Sequence, residues 1–193
     1  MRILILLIVS LSTWLSAIAQ KPNVVLIMAD DLGYHDLSCY GHPKIKTPVL
    51  DRLAKHGVKL TGFYAGATVC TPSRIALMTG SYPTRLGWSK GVVGHILSTD
   101  HGLSPKALTM AEHFKSAGYK TAISGKWHLG DRPSFRPHRQ GFDRTFYINK
   151  SNNQTDELWQ ADKLLEKPFK NRFLTEKFTR EAISFIQSNK DKP

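Results

Sequence analysis

Residues 23–29 form an apolar, β-branched run, Asn-Val-Val-Leu-Ile-Met-Ala. A strand with one face in water alternates polar and apolar residues. This run does not alternate, which predicts a strand buried on both faces, as in a parallel sheet. The fold class that follows is α/β, a mainly parallel sheet sandwiched by helices. The run ends in Asp30-Asp31-Leu32-Gly33. That is the carboxyl end of the strand, where open α/β sheets place their ligands. Adjacent carboxylates repel unless a cation or donor lies between them. A hard divalent cation with oxygen ligands would resolve that repulsion. The competing reading is plain turn chemistry, since Asp close to Gly is common in loops.

The rest of the chain reads as alternating helices and strands. Thr47 and Pro48 open a helix that Gly57 closes, with Val49, Leu50, Leu53 and Ala54 on its apolar face and His56 in a helix-end role. Residues 58–63 read as a second strand. Cys70-Thr71-Pro72-Ser73-Arg74 follows, with Pro72 at the first helical position and a short helix over residues 73–78 stopped by Gly80. Cys70 then sits at a helix N-terminus, where free N–H groups and the dipole favour an anion. Arg74, four residues on, can share its face.

Residues 81–102 read as a long loop, with Arg85, Trp88, His95 and His101 as candidate substrate contacts. Ser104-Pro105 predicts another helix, burying Leu108, Ala111 and Phe114, leaving His113 on the surface and ending before Gly118. Residues 119–123 read as a strand leading into Gly125-Lys126-Trp127-His128-Leu129-Gly130. An extended backbone there sends Lys126 and His128 to one side and Trp127 to the other. A fixed cation and a titratable base would then share one site. The Gly125-Lys126 pair is not a phosphate-binding P-loop, because the upstream glycine is misplaced and Trp127 stands where Ser or Thr is required. His138 is open between substrate contact and turn cap. Asn149-Lys150-Ser151 and Asn153-Gln154-Thr155 are glycosylation sequons. Residues 173–189 carry an apolar stripe of Leu174, Phe178, Ala182, Phe185 and Ile186 at helical spacing.

Residues 1–19 have the pattern of an export signal: Arg2, an apolar stretch, and Ala17-Ile18-Ala19 before the cut. The expected location is periplasmic or secreted, or lysosomal or extracellular in a eukaryote. No stable membrane insertion is expected after the signal is removed. The formal net charge of +12 suits anionic partners. No basic run with interleaved aromatics occurs, so nucleic acid is not expected. Cys39 and Cys70 are the two cysteines. A disulfide is the default in an exported chain. No C-x-x-C or H-E-x-x-H occurs, which argues against a zinc site.

The Cys70-Thr71-Pro72-Ser73-Arg74 stretch, followed by Thr79-Gly80, resembles the signature of the type I sulfatases. Residues 118–121 and 125–130 resemble the second signature of that family without a gap. The resemblance implies the alkaline-phosphatase-like fold and hydrolysis of sulfuric esters. It implies that a maturation enzyme converts Cys70 to formylglycine, whose hydrated form supplies one hydroxyl to attack sulfur and a second that loses its proton as sulfate leaves. It implies Cys70, Arg74, Lys126 and His128 as catalytic residues, Lys126 and His128 also binding substrate. It implies Asp30, Asp31 and residue 70 as ligands of Ca²⁺, in preference to Mg²⁺. Cys39 is then a small hydrophobe and not a disulfide partner. The substrate would be a sulfated small molecule or glycan.

One departure accompanies the resemblance. The family uses a later Asp followed by Asn or His at the metal, and a later Lys and His at the sulfate. No Asp-Asn or Asp-His pair follows His128. The expected organisation is therefore a signal over residues 1–19 and the N-terminal part of a sulfatase catalytic domain over residues 20–193. Two other functions fit the same residues: a phosphonate or phosphate ester hydrolase, and a non-catalytic binder of sulfated glycans.

Overall fold

The computed structural model describes residues 21–89, 91–94, 98 and 100–193. The expected export signal and His95 lie outside the described residues. Helix α1 spans Pro48–His56, and the Gly57 N–H closes it on the Leu53 carbonyl at 2.9 Å. His56 Nδ1 bonds the Arg52 carbonyl, the helix-end role its position suggests. Helix α2 spans Cys70–Thr79. Pro72 occupies its third position and not its first. The cost is the same, because N–H groups of the first turn have no partner inside the helix. Gly80 ends α2 at φ 63° and donates to the Ala76 carbonyl. That left-handed cap is the conformation glycine adopts without a Cβ penalty.

Helix α3 spans Met110–Ser116, beginning later than Ser104-Pro105 predicts. Thr109 and Glu112 form a reciprocal capping box, with Thr109 Oγ1 accepting from the Glu112 N–H and Glu112 Oε2 accepting from the Thr109 N–H. Two otherwise orphaned donors are satisfied there. Ser104 instead starts a turn, accepting from the Ala107 N–H.

Four strands form one sheet in sequence order: β1 Ala122–Lys126, β2 Arg144–Ile148, β3 Leu158–Gln160 and β4 Lys163–Glu166. β1 and β2 are parallel, and the other two pairings are antiparallel. The described sheet is therefore mixed, with one parallel pair. Helix α4, Leu174–Ser188, covers one face. Alternation along β2 separates the two cores. Tyr147 joins Ile75, Val93, Leu103, Trp127 and Leu129 on the α2 and α3 side. Phe146 and Ile148 point the other way, to Leu174 and Phe178 of α4. Ser124 on β1 donates to the Phe178 carbonyl, pinning α4 to the sheet.

Several sequence expectations change. The strand read at residues 119–123 begins at Ala122, because Tyr119 closes α3 by donating to the Phe114 carbonyl and packing edge-on against its ring. Residues 23–29 and 58–63 form no strand. Val25 and Ile27 are 65% and 84% exposed. The run borders, with β1 and α4, an open groove of about 910 Å³. A strand exists only through its ladder, and among the described residues these segments pair with none. The α1 face of Val49, Leu50 and Leu53 is likewise exposed.

Candidate active site

The centre of the site is the N-terminus of α2 facing the C-terminal end of β1. Cys70, the first residue of α2, is a half-buried free thiol, as Cys39 also is. Lys126, the last residue of β1, donates through Nζ to Cys70 Sγ at 3.1 Å. The same Nζ donates to Asp30 Oδ2 at 2.8 Å. Arg74 Nη2 holds the other Asp30 oxygen at 3.1 Å, and Arg74 Nη1 donates to the Lys126 carbonyl. The i, i+4 spacing along α2 brings Arg74 to the same centre as Cys70. Partial burial pushes the Asp30 carboxyl up. The hydrogen bonds and charges of Lys126 and Arg74 outweigh it and hold Asp30 below the usual carboxylate range.

His128 follows two residues after β1. Its φ of 59° turns the backbone, so the extended geometry that would set it beside Lys126 ends there. The imidazole is fully buried. Its Nε2 lies 2.9 Å from the Val93 carbonyl. A carbonyl only accepts, so Nε2 carries the proton and Nδ1 presents a lone pair. Nδ1 is buried with no partner among the described residues. Burial is the largest influence on this ring and lowers its pKa. The Val93 bond raises it, Lys126 and Arg74 lower it further, and Asp30 raises it, leaving about 4. Trp127 points into the core and donates to the Phe135 carbonyl.

Asp30, Asp31 and Cys70 each offer a ligand atom, all within 4.8 Å of one another. Asp31 is held at φ 58°, a left-handed conformation that Asp tolerates better than most residues. The two carboxylates suit a hard divalent cation. A thiol does not, and an oxygen at residue 70 would complete the set. The donor set thus fits the cation once residue 70 presents oxygen.

Thr71 is a residue that motif reasoning passed over. It is fully buried, donates to the His128 carbonyl at 3.0 Å and accepts from the Val93 N–H at 3.2 Å. It ties α2 to both ends of the histidine's environment. Nothing in the linear sequence links residue 71 to residues 93 and 128. Other candidates go elsewhere. Trp88 is buried in the core, so it is not a substrate contact. His138 Nε2 meets the Asp162 carboxylate at 3.1 Å, which is neither a turn cap nor a contact with this centre. Arg85 and His101 are exposed, with no side-chain bond into this centre.

A family model described as Sulfatase matches residues 22–193. The chain belongs to the sulfatase family. It is similar to arylsulfatase A of Homo sapiens, at 49% identity over 140 residues, covering 72% of this chain and 27% of the relative. It is similar to the solved structure of Ps i-CgsB, with a TM-score of 0.80 and 31% identity, covering 90% of this chain and 43% of that one. A structure titled as BT4656 with its substrate D-glucosamine-2-N,6-O-disulfate matches with a TM-score of 0.71 and 30% identity, covering 90% of this chain and 33% of that one. The fold is thus that of the alkaline-phosphatase-like sulfatases, as the two signatures imply. The chain spans about a quarter to two fifths of the length of the curated relatives it matches. Sulfatases of this family work with formylglycine and a divalent metal ion. Among the described residues, no helix is long and apolar enough to cross a membrane.

Proposed function

We propose that the protein carrying this span hydrolyses sulfuric esters, with residues 20–193 as the N-terminal part of its catalytic domain and residue 70 as formylglycine. The observation that carries the reading is Lys126 Nζ, placed 3.1 Å from the residue-70 side chain and 2.8 Å from Asp30. One cation thereby faces both the nucleophile position and an acidic metal ligand. Formylglycine, when formed and hydrated to its gem-diol, would supply a hydroxyl nucleophile in place of the thiol. Ca²⁺, held by Asp30, Asp31 and the residue-70 oxygen, would neutralise charge on the sulfate group. The net reaction consumes one water and releases an alcohol and sulfate.

The chain's own residues then divide the work. Lys126 orients a sulfate oxygen against the nucleophile and stabilises the charge that develops there. Arg74 fixes Lys126 through its carbonyl and Asp30 through its carboxylate. His128 is neutral above pH 4 to 5, with a free Nδ1 lone pair able to hold a proton. The substrate is a sulfated small molecule or glycan, as the disulfated glucosamine of the BT4656 structure suggests. The export signal and a formylglycine-generating maturation enzyme belong to the same reading.

The test uses the intact protein co-expressed with a maturation enzyme. Mass spectrometry of the residue-70 peptide should show an aldehyde that reacts with hydrazides. Turnover of 4-nitrophenyl sulfate should exceed that of 4-nitrophenyl phosphate and vanish in Cys70→Ala. A preparation that is active with an unmodified thiol would sink the proposal, and so would a preference for the phosphate ester.

A further inference from the structure

The charges of this chain are unevenly placed. Residues 42–59 carry Lys44, Lys46, Arg52, Lys55 and Lys59 against a single carboxylate, Asp51. Asp51 is turned away from them: its oxygens accept from the Ser38 and Thr47 hydroxyls and from the Cys39 N–H. All five cations are exposed. Among the described residues none of them is in an ion pair, whereas Lys115, Arg132, Arg144 and Lys150 each meet a carboxylate.

The segment that carries them is firmly built. His42 Nδ1 accepts from the Lys44 and Ile45 N–H groups at 3.1 and 2.7 Å, which folds the approach to α1. The Thr47 N–H donates to Ser38 Oγ at 3.0 Å. Past the end of α1, Lys59 lies over the Tyr40 ring and donates to the Cys39 carbonyl at 3.1 Å. Residues 38–40 therefore touch the chain both before and after α1, gathering the two flanks around one short turn. Helical spacing sets Arg52 and Lys55 on the side of α1 opposite Leu50 and Leu53. None of the five cations lines the groove that contains Asp30, Arg74 and Lys126.

Like charges on one face repel, and here no protein anion relieves them. The helix dipole accounts for Lys55 in the last turn of α1. It does not account for Lys44 and Lys46, which precede the N-terminus, where the dipole favours anions. An external polyanion would relieve the repulsion and release its own counterions on binding. Four of the five cations are Lys, compact point charges that need no fixed donor geometry. That suits sulfate groups spaced along a flexible chain. Nucleic-acid bases need open aromatic faces to stack on, and the Tyr40 ring is already packed against Lys59 and Tyr34.

We propose that Lys44, Lys46, Arg52, Lys55 and Lys59 form a second binding surface, outside the catalytic groove, for the sulfate groups of a sulfated polysaccharide. The surface goes beyond the sulfatase reading and needs no turnover. The catalytic centre acts on one ester, and this surface holds the polymer that carries many.

The test measures binding of the intact protein to dextran sulfate, with unsulfated dextran as control. One variant, Lys44→Gln/Lys46→Gln/Arg52→Gln/Lys55→Gln, neutralises the patch and leaves Lys59 with its backbone bond. A charge-matched variant, Lys120→Gln/Lys163→Gln/Lys170→Gln/Lys190→Gln, removes exposed cations elsewhere. The patch variant should bind at least about tenfold more weakly and lower the slope of log Kd against log salt by about two or more, with the charge-matched variant within about threefold of the parent. Lys44→Glu/Lys46→Glu, which changes no residue of α1, should weaken binding in the same direction. Urea midpoints report that each variant is folded. Equal losses in the patch and charge-matched variants would reduce the effect to net charge and overturn the surface. So would equal affinity for unsulfated dextran, or tighter binding to single-stranded DNA or phosphatidylserine vesicles than to dextran sulfate. Turnover of 4-nitrophenyl sulfate is read separately, so failure of the sulfatase reading and failure of this surface are told apart.

Discussion

Lys126 donates to Cys70 across 56 residues of chain, joining the end of a strand to the start of a helix. Asp30 then holds the same ammonium from a third segment. If this cation stabilises charge in the transition state, Lys126→Met in the intact enzyme should lower kcat by about 10²–10³-fold. Lys126→Arg should recover little, because a planar fork cannot replace a compact ammonium between two close partners. Steady-state kinetics on an aryl sulfate gives the answer, and an unchanged kcat in Lys126→Met would exclude the role.

Asp31 separates metal binding from folding. Its positive φ costs nothing to glycine, so Asp31→Gly should leave stability within about 1 kcal/mol of the parent. The lost carboxylate should weaken Ca²⁺ at least about tenfold. Titration calorimetry measures the affinity and urea unfolding the stability. Full activity after exhaustive chelation would rule out the metal assignment.

His128 makes stability depend on pH. Its pKa is about 4 when folded, against an ordinary value of 6.5. Between those values the unfolded chain binds the proton and the folded chain does not. The stabilising contribution is therefore complete above pH 6.5 and is lost as pH falls towards 4. The loss should amount to about 3 kcal/mol. Urea midpoints at pH 7.5, 5.5 and 4.5 should fall in that order, and the His128→Gln variant should lose most of this dependence.

Thr71→Val keeps the shape and removes the hydroxyl that serves His128 and Val93. Leaving a buried carbonyl and N–H without that partner should cost about 1–3 kcal/mol. Thr71→Ser should restore most of it. Urea unfolding of the three proteins checks both statements, and a neutral Thr71→Val would show that the hydroxyl holds nothing.

What the sequence determined lies in short-range chemistry. Pro72 in the first turn and Gly80 past the end mark a helix because of their own backbone limits, and this placed Cys70 near its start and Arg74 one turn on. The acidic pair, Lys126 and His128 were legible because each sits in a motif of adjacent residues. Tertiary structure decided everything that depends on a distant partner. The apolar run at residues 23–29 reads as a buried strand, yet its burial depends on a ladder that the described residues do not give it. Trp88 reads as a loop aromatic poised for substrate but packs in the core. Of the two sequons, Asn149 is buried and Asn153 exposed, which their identical pattern could not reveal. His128 owes its low pKa to burial and to the Val93, Lys126, Arg74 and Asp30 groups around it, and Thr71 owes its place to bonds 22 and 57 residues away. Local sequence fixes backbone preference and the identity of a reactive group. Desolvation and hydrogen-bond partners come from the folded neighbourhood, and they set what that group can do.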